Sequence, residues 1–154
     1  MSVFLADEQG EELDLAGMRN VADLVISSEG YPKDTEVTLL FVDEDEMSSY
    51  NERFLNRSGP TDVLAFPVED LLPGVAPDAD PAGPPVMIGD VIIAPAYVRR
   101  QAGELDVAFE DEMALMVTHG ILHLMGYDHQ ADGDASAMER RETEILGLVG
   151  KKRR

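Results

Sequence analysis

The stretch from Phe109 to Met125 limits the possible folds more than any other part of the chain. Phe109, Met113, Leu115, Met116, Val117, Ile121 and Leu122 are spread round most of a helical circumference. A helix apolar on nearly every side has to be enclosed by the rest of the chain. Gly126 follows it, and a glycine there ends the helix because it accepts a positive φ. With 154 residues, 44% of them hydrophobic, the chain can build one such core. Residues 1–150 are read as that single domain, and Lys151-Lys-Arg-Arg154 as a basic tail that frays.

Around this helix the hydrophobic periodicity predicts strands over Ser2–Ala6, Glu36–Val42, Val63–Phe66 and Val86–Ala94. It predicts further helices over Leu13–Ser28, Glu44–Leu55, Pro95–Ala102 and about Asp134 to Leu148, with Asp43 as an N-cap and Pro95 in a first turn. Between Glu69 and Pro85 the prolines at 73, 77, 81, 84 and 85 make a long loop, read as a surface insertion with a lid as the alternative. No regular βαβ rhythm runs through the order. The fold class is therefore α+β, a small mixed β-sheet packed on one side by helices.

Charge and composition exclude several functions. The chain carries 31 acidic against 12 basic residues, a net charge of −19, which repels nucleic acid and anionic membranes at long range. Local positive patches remain possible at Arg53 and Arg57, Arg99 and Arg100, and Arg140 and Arg141. The absence of cysteine removes disulfides, thiolate metal ligands and a thiol nucleophile together. No apolar run approaches the roughly 18–20 residues that cross a bilayer, and the first residues lack a signal-peptide pattern, so the expected address is cytoplasmic with no membrane partner.

All three histidines, His119, His123 and His129, fall in one segment at the end of the apolar helix. His119 and His123 are four apart, so both imidazoles leave the same helical face one turn apart. A reversal at Gly126 swings His129 back towards them. Two imidazoles on so apolar a helix, left unsatisfied, would cost about 1–3 kcal/mol each. A metal supplies the reason for them, and three neutral imidazoles with an open fourth position suit one Zn2+ ion. The expected metal site thus lies at the end of a central buried helix. His-x-x-x-His-x-x-Gly-x-x-His is also the ligand frame of metzincin proteases, in which a Glu follows the first His as general base. Here that position is Gly120, which disfavours a peptidase of that mechanism. Metal polarisation of a phosphoryl oxygen remains open to such a site.

The segment His119-Gly-Ile-Leu-His123-Leu-Met-Gly-Tyr-Asp-His129 resembles the signature of the YbeY family, His-Gly-x-Leu-His-Leu-x-Gly-Tyr-Asp-His. Pro60-Thr-Asp-Val-Leu-Ala-Phe-Pro67 is similar to that family's Pro-Thr-Asp-Val-Leu-Ser-Phe-Pro, and Gly89-Asp-Val-Ile-Ile93 to its Gly-Asp-Ile-Val-Ile. The resemblance implies a zinc site on the three histidines and an endoribonuclease that acts on single-stranded regions of ribosomal RNA. It further implies work at the 3′ end of small-subunit RNA and in ribosome maturation, with the small subunit or assembly factors as partners. Two positions depart from the pattern. Phe54-Leu55 stands where many members carry Tyr-Arg, and Ala65 replaces a serine. Arg53 and Arg57 are the candidates to replace that arginine at the substrate.

The expected function is a zinc-dependent endoribonuclease with in-line attack by water or by a ribose 2′-hydroxyl. The catalytic base and nucleophile are not assigned. The alternatives are a metallohydrolase of another substrate and a non-enzymatic ribosome-assembly or binding factor with a structural zinc. Thr61 and Asp62 read as substrate contacts or as a strand-entry turn. Asp90 and Asp128 are candidate carboxylates to orient a histidine, and Tyr127 reads as packing. Arg99 and Arg100 join Arg53 and Arg57 as candidates for an RNA-facing patch.

Overall fold

The computed structural model describes residues 2–78, 80, 82–128 and 132–154. Its elements in chain order are β1 (Val3–Glu8), α1 (Leu15–Ser28), β2 (Glu36–Val42), α2 (Glu44–Leu55), β3 (Val63–Pro67), β4 (Met87–Ile93), α3 (Pro95–Leu105), α4 (Phe109–Leu124) and α5 (Asp132–Gly147). The strands form one sheet in the order β1-β2-β4-β3. β1, β2 and β4 run parallel, and β3 returns antiparallel against β4. The sheet is therefore mixed, as expected.

β2 and β4 occupy the middle because they are apolar on both faces, which only a strand covered on both sides can bury. Val37, Leu39 and Phe41 of β2 and Val91 and Ile93 of β4 join the main core with α1 and α4. Val42 and Ile92 point the other way, into a smaller cluster with Met47 of α2 and Leu64 of β3. This corrects the expectation of helices on one side only. α2 covers the opposite face, and a sheet with two apolar faces requires that cover.

The helix starts follow local chemistry. Asp43 caps α2 by accepting from the Glu46 N–H (2.8 Å), and Asp14 caps α1 by accepting from the Gly17 N–H (3.0 Å). α4 runs through the middle of the helical layer. From Glu112 to Met125 every residue is buried except His119 and His123. Met113, Val117, Ile121 and Leu122 have no exposed surface. Among the described residues, no helix is long and apolar enough to cross a membrane.

Two expected surface segments are tied down. Three of the last four residues, read from the sequence as a basic tail, form ion pairs with the helices. Lys151 Nζ meets Asp111 (3.0 Å), Arg153 Nε meets Glu142 (2.8 Å) and Arg154 Nε meets Glu112 (2.8 Å). The first part of the proline-rich loop, through Leu71 and Ala76, packs on the main core. Its Leu71 carbonyl lies against Gly126, whose φ is +99°, and a Cβ there would sit 2.1 Å from that oxygen.

Gly126→Ala should therefore destabilise the domain by roughly 1–3 kcal/mol, through both the positive φ and the collision. A thermal melt is expected to show Tm lower by several degrees. Gly103→Ala in α3, where nothing lies within 4 Å of an added Cβ, should leave Tm equal or slightly higher.

Candidate metal centre and phosphate cleft

α4 and β3 form the two walls of an open cleft. His119 and His123 line it from α4, and Val63, Leu64 and Ala65 line it from β3. Helix and sheet approach so closely because of Gly120: a Cβ there would meet Val91 Cγ1 at 2.5 Å. The contact gives a packing reason for glycine at the position where the protease frame carries its base. Any larger residue there would have to displace the Val91 side chain or the helix. A second cavity of about 450 Å³ adjoins the first, sharing Arg57, Val63, Leu64 and His119 with it.

Each described imidazole is fixed through its Nδ1. His119 Nδ1 is 2.6 Å from Oε2 of Glu142 on α5, a side chain only 1% exposed. Burial pushes the Glu142 carboxyl upward, but the hydrogen bonds from His119 and Arg153 and the charge of Arg153 more than offset this and hold it below its ordinary value. It is a carboxylate at neutral pH and accepts the Nδ1–H. His123 Nδ1 lies 2.9 Å from the Tyr127 carbonyl, which can only accept, so this nitrogen also carries the hydrogen. In the neutral rings Nε2 then holds the lone pair, the arrangement found in metal-ligating histidines.

The Tyr127 backbone is held from a third direction. Its phenol donates to Glu29 Oε1 at the end of α1 (2.6 Å), and Arg141 of α5 donates to Glu29 Oε2 (2.9 Å). Burial first, then the hydrogen bond and charge of Glu29, push the phenol up to about 12. Tyr127 is thus buried and anchors the turn through its phenol. The donor chemistry of His119 and His123 fits a zinc ion. Their partner in the expected set, His129, lies outside the described residues. Among the described residues no three His, Asp or Glu side chains form a metal-binding cluster.

The arginine candidates separate. Arg57 lines both cavities, and its backbone is pinned, its N–H donating to the Asn51 carbonyl (3.2 Å) after α2 ends in a left-handed Asn56. Arg53 instead lies over the rings of Tyr50 and Phe54, 5.6 and 5.2 Å from their centroids, and lines neither cavity. Arg99 and Arg100, on α3, are paired with Glu11 and with Glu44 of α2 and also line neither. Leu55 does face the histidine cleft but brings no charge to it.

Thr61 and Asp62 line the larger cavity, yet they serve chiefly as a strand-entry turn. Asp62 Oδ1 accepts from the Val63 N–H (2.8 Å), and Oδ2 accepts from Gln101 (3.2 Å). Asp90 is exposed on β4, and the carboxylate that orients His119 is Glu142. Asp128 is half-buried beyond the turn. The sequence reading overlooked Glu142, although Met138, Glu142 and Ile145 share one helical stripe on α5. A lone carboxylate on an apolar stripe marks a buried charge that needs partners.

The family model described as Endoribonuclease YbeY matches residues 6–150. The Endoribonuclease YbeY of Acidothermus cellulolyticus is 37% identical over 147 residues, covering 95% of this chain and 90% of that protein. That of Thermobifida fusca is 37% identical over 146 residues, covering 95% and 92%. The solution structure of TM1509 from Thermotoga maritima superposes with a TM-score of 0.62 at 26% identity, covering 96% of this chain and 91% of that one. Sequence match and fold agree over nearly the whole length, and the chain belongs to the endoribonuclease YbeY family.

Proposed function

We propose that this protein is a zinc-dependent endoribonuclease that cuts single-stranded regions of ribosomal RNA, with the 3′ end of the small-subunit RNA as its substrate during cytoplasmic ribosome maturation. Family membership supports cleavage of RNA phosphodiester bonds. The observation that carries the metal reading is the pair of half-buried imidazoles, each fixed through Nδ1, at the two breaks in the otherwise buried stretch from Glu112 to Met125. A purely structural zinc is closed off by its ligands; here the histidines line an open cleft, which favours the enzyme over a non-enzymatic factor.

His119, His123 and His129 would hold the ion, which when bound supplies a Lewis acid for a phosphoryl oxygen. The remaining work belongs to the chain's own residues. Glu142 and the Tyr127 carbonyl hold the two rings in orientation. Val63 and Leu64 form an apolar wall that excludes water from one side of the cleft. Arg57 takes the place of the family arginine absent at Leu55, because its guanidinium can pair with a phosphate beside His119. It brings local positive charge to a molecule whose net charge of −19 repels RNA.

Purified wild-type protein should contain one zinc per chain and cut single-stranded RNA. His123→Ala and chelator treatment should each abolish cutting while a thermal melt still shows a folded domain. Undiminished cleavage by the chelated, metal-depleted protein would overturn the zinc reading.

Arg57→Ala should lower kcat/KM on single-stranded RNA by about 10- to 100-fold, the loss expected of one charge-assisted phosphate contact worth about 1.5–3 kcal/mol. It should also make the salt dependence of RNA binding shallower. Arg53→Ala should change kcat/KM much less. Equal losses in both variants would mean that Arg57 has no special place at the phosphate.

A further inference from the structure

The family match ends at residue 150, yet two of the residues beyond it, Arg153 and Arg154, line the cavity that His119 also lines. Lys151 turns the chain off α5 through its N–H to the Leu146 carbonyl (2.9 Å). Arg154 then spans both oxygens of Glu112 on α4 (2.8 and 2.9 Å), a carboxylate 1% exposed. Between these two anchors, Arg153 Nε donates to Oε1 of Glu142 (2.8 Å), while Oε2 of the same carboxylate takes His119. Arg153 also reaches Glu139 (3.6 Å) and the Arg154 carbonyl (2.9 Å).

We propose that Arg153 is a positioning residue for the metal centre, fixing His119 through Glu142. The inference rests on the reading that His119 is a metal ligand. The physical argument is one of orientation. Glu142 is enclosed and splits its two oxygens between one imidazole and one guanidinium, so each partner sets the plane of the carboxylate for the other. With Arg153 removed, Oε1 loses its cation inside the fold, and the carboxylate gains a reason to rotate towards water. The His119 ring then loses the acceptor that holds its Nδ1 and points Nε2 into the cleft. Partners of this kind typically alter metal affinity by about 10- to 100-fold. The basic tail is thus a clip that completes the support of one ligand.

The test compares full-length wild type, Arg153→Ala, Arg153→Lys and Lys152→Ala. Zinc affinity is measured by competition with a chromophoric chelator, and the His119 ring signals by nitrogen–proton NMR of the metal-free proteins. Arg153→Ala should bind zinc about 10-fold more weakly and lose the slowly exchanging His119 Nδ1–H signal. Arg153→Lys should recover part of both, and Lys152→Ala should match the wild type. Unchanged affinity and an unchanged ring signal in Arg153→Ala would overturn the proposal while leaving the zinc reading in place. Conversely, a ring signal that depends on Arg153 in a wild type that binds no zinc would support the clip and remove the metal. If Arg153→Ala fails to fold, the lysine variant carries the comparison: wild-type behaviour is expected of it in part, and an affinity below one-tenth of wild type with an unaltered ring signal would count against the clip.

Discussion

Helix α4 lies so close to the sheet that a single methyl group at Gly120 would sit 2.5 Å from Val91. The rest of the site depends on this approach. It buries α4 from Glu112 to Met125 on every side but one and places the cleft wall of β3 beside the two histidines. The same contact occupies the space that a general-base glutamate would need. One steric constraint thereby sets the imidazoles beside the cleft wall.

The imidazoles are then held from outside the helix, by parts of the chain that do not touch one another in sequence. α5 supplies Glu142 to His119. The turn at Gly126 supplies the Tyr127 carbonyl to His123, and α1 and α5 hold that turn through Glu29 and Arg141. Glu142, Glu29 and Glu112 are carboxylates inside or at the edge of the core, and each has an arginine on it. Such buried pairs add little net stability, because desolvation consumes most of the attraction. Their effect is geometric, since a carboxylate with both oxygens engaged cannot easily rotate.

How much of this was legible from the sequence follows the range of the interactions. The boundaries of β2 and α2 coincide with the predicted ones because periodicity and the Asp43 cap are local signals. The apolar circumference of α4 gave away its central place, and the spacing of His119 and His123 their common face. Contacts that close over long loops were not legible. Glu142 meets His119 across 23 residues, and Arg154 meets Glu112 across 42. Nothing local to Arg153 marks it as clipped to the core rather than frayed. Likewise, Arg53 and Arg57 look alike in sequence, but Arg53 stays on α2 over its aromatic rings while Arg57, beyond the left-handed Asn56, lines the cleft. The second apolar face of the sheet, written in Leu40, Val42 and Ile92, was present in the pattern but was assigned to a single core.

Everything proposed for the cleft turns on whether the histidines hold a metal ion. X-ray absorption at the zinc edge of the purified protein tests it most directly. One zinc per chain is expected, with imidazole nitrogens at about 2.0–2.1 Å and a remaining light-atom position for solvent. Zinc in a shell of oxygens alone, or none bound at stoichiometric level, would contradict it.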